Sequence, residues 1–221
     1  MQNRKQTAWR KSRKFGDIHG GRMRRRMTDN IFTRCHSLKP PGLGEPTPIV
    51  LRDNPSRDYF FPLAPDECLK VLRGLPNHAA DDLTHLWFRR IRSSARGTGS
   101  RPLAQFICGS RVRVIVLYPW RRDLRHYLDK EKPRGAFCNK MSRYAGEPQR
   151  DDRGWFFQFE ASELRRYYLE QLLLHEVGHH VDWYSRHWSK ANTRAIESAA
   201  DSYAVEWTAS GAFEAILDEE V

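Results

Sequence analysis

The chain has 221 residues, 39% hydrophobic and 12% aromatic, enough for one well-buried core with or without a tail. Its 38 Lys and Arg outnumber 27 Asp and Glu, and its mean hydropathy is −0.74. No apolar run approaches the roughly 18–20 residues of a membrane-spanning helix, so no membrane span is expected and a cytoplasmic location is.

Residues 1–30 hold ten basic residues and little that is apolar. Such a stretch cannot bury enough surface to order itself and reads as a basic disordered arm. Its charge suits nucleic acid or another polyanion, and a solubilising tail is the plainer alternative. No apolar stretch follows it, so a secretory leader is not expected. Residues 31–65, with "LKPPGLGEPTPIV" and "FFPLAP", favour extended chain and turns and read as a Pro-rich wrapping segment or linker. Tyr59, Phe60 and Phe61 are its candidate anchors. The cysteines, Cys35, Cys68, Cys108 and Cys138, form no C-x-x-C pair and read as reduced structural thiols.

The third segment, 66–221, carries most of the regular elements. "APDECLKVLRGLP" reads as a short helix with Asp66 as N-cap and Pro76 as its stop. "DDLTHLWFRRIR" is strand-prone. "LAQFIC" and "RVRVIVLYPW" flank Gly109–Ser110 as a hairpin, and in "RVRVIVLY" Arg111 and Arg113 alternate with valines, which implies one wet face. "RRDLRHYLDKEKP" reads as a short helix ended by Pro133, "GAFCNKM" as a strand, "RYAGEPQRDDRG" as a polar loop and "WFFQFE" as a strand. From Ser162, a candidate N-cap, the period becomes helical through Tyr184, with Leu169, Leu172, Leu173, Val177 and Val181 on the apolar side. A last helix covers "AIESAADSYAVEWTASGAF" and stops near Gly211. The order implies an α+β fold: a small twisted, mostly antiparallel or mixed sheet packed on a long helix and on the helix after it.

The chemistry concentrates in "LLLHEVGHHVDW". Residues four apart share a helix face, so His175 and His179 can aim imidazole nitrogens at one cation. Glu176 lies about 100° around from His175, beside the cation and within reach of a water on it. This is the logic of H-E-x-x-H: two neutral imidazoles hold zinc, the metal acidifies a water, and the glutamate takes its proton. Gly178 gives up about 1 kcal/mol of helix propensity and leaves room for a close neighbour. His180 and Asp182 point off the His175/His179 face. A His ligand at the metzincin spacing is absent, because Asp182 and Ser185 stand where Gly and His are required. "ESAAD" on the next helix supplies a better third ligand in Glu197. Asp201, one turn on, can accept the free N–H of a ligand histidine and fix its tautomer. Ala199 and Ala200 allow the two helices to pack closely.

"HEVGH" followed by "ESAAD" resembles the gluzincin metallopeptidases, and the chain looks most like their compact, minigluzincin-like members. The resemblance covers about residues 66–210, with the two motifs as its specific part. It implies one Zn2+ held by His175, His179 and Glu197, Glu176 as general base and acid, Asp201 behind a ligand histidine, and a protein or peptide substrate laid along an edge strand. "WFFQFE" is the candidate for that strand or its neighbour. With about 20 residues after Asp201 in this sequence, the subdomain that stabilises the oxyanion in larger gluzincins is not expected. Tyr203, Tyr184 and His187 are the candidates for that task. Cys138 is considered as a zinc-blocking thiolate and reads more simply as a small structural residue.

The leading expectation is therefore a zinc-dependent metalloendopeptidase. Two alternatives belong to other classes. One is a nucleic-acid-associated protein using the arm and the arginines 89, 90, 92, 96, 101, 111 and 113 interleaved with Trp87 and Phe88, with zinc structural or with proteolysis aimed at DNA-bound proteins. The other is a non-peptidolytic binding module stabilised by zinc.

Overall fold

The computed structural model describes the backbone of residues 17–19 and 22–24 and, between 38 and 214, every residue except 77–78, 92–101, 110, 129, 133–134, 186–187 and 212. Within the arm, β1 (Asp17–His19) and β2 (Arg22–Arg24) pair antiparallel. The rest of the arm lies outside the described residues. No helix among the described residues is long and apolar enough to cross a membrane.

The remaining elements are, in order, β3 (Ile49–Arg52), β4 (Tyr59–Phe60), α1 (Pro65–Gly74), β5 (His85–Phe88), β6 (Ala104–Gly109), β7 (Val112–Leu117), β8 (Trp120–Arg121) and β9 (Arg125–Tyr127). There follow α2 (Ala136–Ala145), β10 (Gln149–Asp151), β11 (Gly154–Gln158), α3 (Ala161–Tyr167), a π-helical stretch at Tyr168–Leu173, α4 (Leu174–Ser185) and α5 (Thr193–Ala209). The fold is α+β. Its main sheet has the order β3-β5-β7-β6, with β3, β5 and β7 parallel and β6 antiparallel to β7. The smaller sheets are β10-β11-β9 and β4-β8.

The β6–β7 hairpin forms where Gly109–Ser110 predicts it, with Arg111 taking a left-handed φ of 62° after the turn. The expected wet face of β7 does not occur. Val112, Val114 and Val116 are buried on one face, and Ile115 and Leu117 are buried on the other, so only Arg113 reaches water on that side. A central strand with parallel pairing is covered on both faces, and this one follows that rule. The stretch expected to wrap or link contributes β3, one of the two outer strands of the main sheet. Phe60 and Phe61 pack on the core as anchors, Phe61 edge-on to Phe88 at 5.2 Å.

Three local expectations are corrected, two of them by tertiary contacts. Asp66 lies in the first turn of α1, not at its cap. Ala64 is the N-cap, and its N–H bonds Glu67. "RRDLRHYLDKEKP" forms β9, because Arg125, His126 and Tyr127 pair with Gln158, Phe157 and Phe156. "GAFCNKM" begins α2 rather than a strand: at helical spacing it puts Met141 wholly in the core, with Tyr144 and Ala145 packed beside it. β11 has both of its edges occupied, by β10 and β9, so it is not a free edge strand, and it is not the strand that lines the cleft beside the long helix. That strand is β6, at the edge of the main sheet.

The long helix starts from Glu160 as N-cap, not Ser162. At Tyr168–Leu173 it widens into a π-helix in which the Leu174 N–H donates to Leu169 O, five residues back. All six residues of that stretch are buried, Leu169 and Leu173 in the core and Gln171 and Leu172 toward a cleft. Past the wider turn, Val177 is fully buried, whereas Val181 is 37% exposed and falls off the apolar side.

Candidate metal centre

α4 packs against β6 of the main sheet and along α5. The close approach is set at Gly178. A Cβ there would come within 2.8 Å of the Ala200 Cα and 3.0 Å of its carbonyl oxygen. Ala200 and Ala204 are buried in the same contact. The small residues on both helices thus bring "HEVGH" and "ESAAD" together.

Between the helices and β6 lies a cleft of about 880 Å³. His175, His179 and Glu197 gather in it, each offering one ligand atom within 4.8 Å of the others. Glu197 Oε2 is 3.5 Å from His175 Nε2 and 3.7 Å from His179 Nε2. Those separations exceed the roughly 2.7–3.2 Å of an N–H···O hydrogen bond. They lie within about 0.1 Å of the edge of a tetrahedron whose ligands stand about 2.0–2.2 Å from a central zinc, which is ~3.3–3.6 Å. The donor set of two imidazoles and a carboxylate also suits zinc.

The histidines are held neutral, as a metal ligand must be. Burial is the main cause for both: it pushes His179 down to about 4 and lowers His175, with nearby Lys140 adding to the effect on His175. Asp201 Oδ1 lies 3.0 Å from His175 Nδ1, an ion-pair distance without hydrogen-bond geometry; its charge favours the proton on that nitrogen, which leaves the Nε2 lone pair toward Glu197. His179 Nδ1 likewise makes no hydrogen bond among the described residues.

Glu176 lies beside this cluster, 6% exposed. Burial raises its pKa to about 8, while the Phe106 backbone N–H, donating to the carboxylate from β6, opposes the rise. A buried acid on the rim of a cleft, steadied by one backbone donor, is suited to carrying a proton.

The other candidates sit elsewhere. Tyr184 is 56% exposed, and its hydroxyl donates to Asp82 under the Arg113 guanidinium, outside the cleft. Tyr203 packs against the core and the Gly178 side of α4, with its hydroxyl buried and outside the cleft. Neither tyrosine is placed to steady an oxyanion. His187 lies outside the described residues. His180 donates from Nε2 to Asp81 O, and Asp182 accepts from Trp188 Nε1, so both leave the ligand face as expected. Cys138 faces a separate hollow with Lys132, Asn139 and Arg143. Of the arginine–aromatic set, Phe88 is 1% exposed and Arg113 pairs with Asp82, so neither is free to hold a nucleic acid, although Arg89 does cover Trp87. Arg92, Arg96 and Arg101 lie outside the described residues.

Sequence reasoning missed Lys140, which reaches the cleft from α2 and bonds Asp201 Oδ1 at 2.9 Å. It also missed Gln171, whose side-chain amide donates to Tyr144 OH, which in turn donates to Glu170. A helical reading of "GAFCNKMSRYA" would have put Lys140 next to the buried Met141 and exposed the first of these. Comparison with family models, with curated proteins and with solved structures finds no match to this chain.

Proposed function

We propose that the chain is a zinc-dependent metalloendopeptidase of gluzincin type. The observation that carries this is the convergence of two neutral imidazole Nε2 atoms on Glu197 Oε2 at 3.5 and 3.7 Å. With both Nε2 lone pairs turned to Glu197 Oε2, the three groups repel one another, and a cation between them removes the repulsion. A zinc ion held there by His175, His179 and Glu197 would supply Lewis-acid polarisation of a carbonyl and acidify a water.

The remaining work falls to the chain's own residues. Glu176, ionised by the field of the cation against the effect of its burial, would take a proton from the attacking water and return it to the leaving amine. Its burial keeps the proton in the cleft, and the Phe106 N–H holds the carboxylate in place. The edge of β6 offers backbone groups to an extended peptide, which would pair with it as an added strand. Leu103, Phe137, Leu172, Ile196 and Trp188 line the cleft and favour apolar substrate side chains.

Glu176→Gln tests the reading. Glutamine keeps the shape and can still accept from the Phe106 N–H, so zinc content should match the wild type while peptide cleavage falls at least about 100-fold. Cleavage at the wild-type rate by Glu176→Gln would remove the proposed base.

A further inference from the structure

We infer that Lys140 is a positioning residue for the metal centre, acting through Asp201 on His175. The inference rests on His175, His179 and Glu197 being the zinc ligands. One oxygen, Asp201 Oδ1, lies 2.9 Å from Lys140 Nζ and 3.0 Å from His175 Nδ1. The Asp201 side chain is 53% exposed. On α5 alone it would turn freely into water and leave His175 without its partner.

Lys140 removes that freedom from a third element. It projects from α2, whose Met141 is wholly buried and whose Tyr144 hydroxyl is bonded to Glu170, so the lysine springs from a fixed base. Asp201 is then gripped between α2 and α4 while its own backbone belongs to α5. As an ion pair between part-exposed side chains, Lys140–Asp201 adds at most about 1 kcal/mol to the stability of the fold. Its larger consequence is for the ring of His175. Groups that orient a ligand histidine from behind typically change metal affinity by about 10–100-fold when removed.

The sign of the effect separates positioning from simple charge. A lysine near a dication repels it, so if Lys140 acted only through its charge, Lys140→Met would tighten zinc binding. If it acts by holding Asp201, the same substitution weakens zinc binding.

The test is the zinc dissociation constant of the full chain, by competition with a chromophoric chelator. It is measured for the wild type, Lys140→Met, Lys140→Arg, Asp201→Asn and the Lys140→Met/Asp201→Asn pair, with thermal midpoints of the metal-free proteins alongside. Lys140→Met should weaken zinc binding about 10-fold, and Lys140→Arg should restore it. The pair should be no weaker than Asp201→Asn alone, and the metal-free midpoints should agree. Zinc binding by Lys140→Met equal to or tighter than wild type overturns the inference and leaves the ligand assignment intact. A loss that persists undiminished in the Asp201→Asn background shows that Lys140 does not act through Asp201. A wild type that binds no zinc overturns the ligand assignment itself, and this inference with it.

Discussion

Gly178 of α4 lies against the backbone of Ala200 in α5, so close that even a methyl group would meet the Ala200 Cα at 2.8 Å and its carbonyl oxygen at 3.0 Å. The contact is with backbone, which cannot rotate aside. Two effects of Gly178→Ala therefore oppose each other. Alanine gains about 1 kcal/mol of helix propensity. Overpacking costs about 1–3 kcal/mol, and a backbone contact this short belongs at the upper end. The net expectation is a loss of about 1–2 kcal/mol in chemical denaturation. Because relief requires α5 to move away, Glu197 moves with it and zinc affinity falls as well. A stabilised Gly178→Ala protein would show that the two helices do not pack this tightly.

Tyr203 gives the opposite expectation. Its hydroxyl is buried without a hydrogen-bond partner among the described residues, and burial pushes its pKa up to about 12. Removing a buried polar atom that has no partner relieves its desolvation penalty. Tyr203→Phe should leave thermal stability unchanged or raise it by up to about 1 kcal/mol, with peptide cleavage within about two-fold of wild type. A large drop in kcat would return Tyr203 to the reacting centre.

His126 sets a pH dependence away from the metal. Its ring stacks on Trp120 at 5.3 Å, and burial holds its pKa down to about 4. Above the ordinary histidine value of about 6.5 the ring is neutral, folded or unfolded, and costs nothing. Between there and about 4 the unfolded chain takes up a proton that the folded chain refuses, so stability falls as pH falls. The loss between pH 7 and 5 is on the order of 1 kcal/mol. Thermal midpoints at the two pH values should differ less for His126→Gln than for wild type. Equal differences would place the acid sensitivity in other groups.

What the sequence reveals divides by the range of the interaction. "HEVGH" and "ESAAD" are legible because i,i+4 spacing is a local property of a helix, and Gly178 and Ala200 advertise their close contact by their size. The β6–β7 hairpin is legible from Gly109–Ser110 and the alternation around it. α2 and β9 are not. "GAFCNKM" and "RRDLRHYLDKEKP" have mixed local preferences, and what decides them is distant: Met141 entering the core, and Arg125–Tyr127 pairing with Phe156–Gln158. Misreading α2 hides Lys140, since only the helix carries it to Asp201. Misassigning the cleft-side strand to "WFFQFE" has the same origin, because strand order within sheets is not written locally. The π-helical turn at Tyr168–Leu173 leaves no period that a reading at 3.6 residues per turn would notice.

The central claim is that His175, His179 and Glu197 hold one zinc ion. Elemental analysis of the purified full-length chain after equilibration with zinc and removal of the excess tests it most directly, with His175→Ala, His179→Ala and Glu197→Ala treated alongside. The expected result is one zinc per wild-type chain and a large loss in each variant, with circular dichroism showing that the variants remain folded. A wild type that retains no zinc, or folded variants that retain it in full, would contradict the claim.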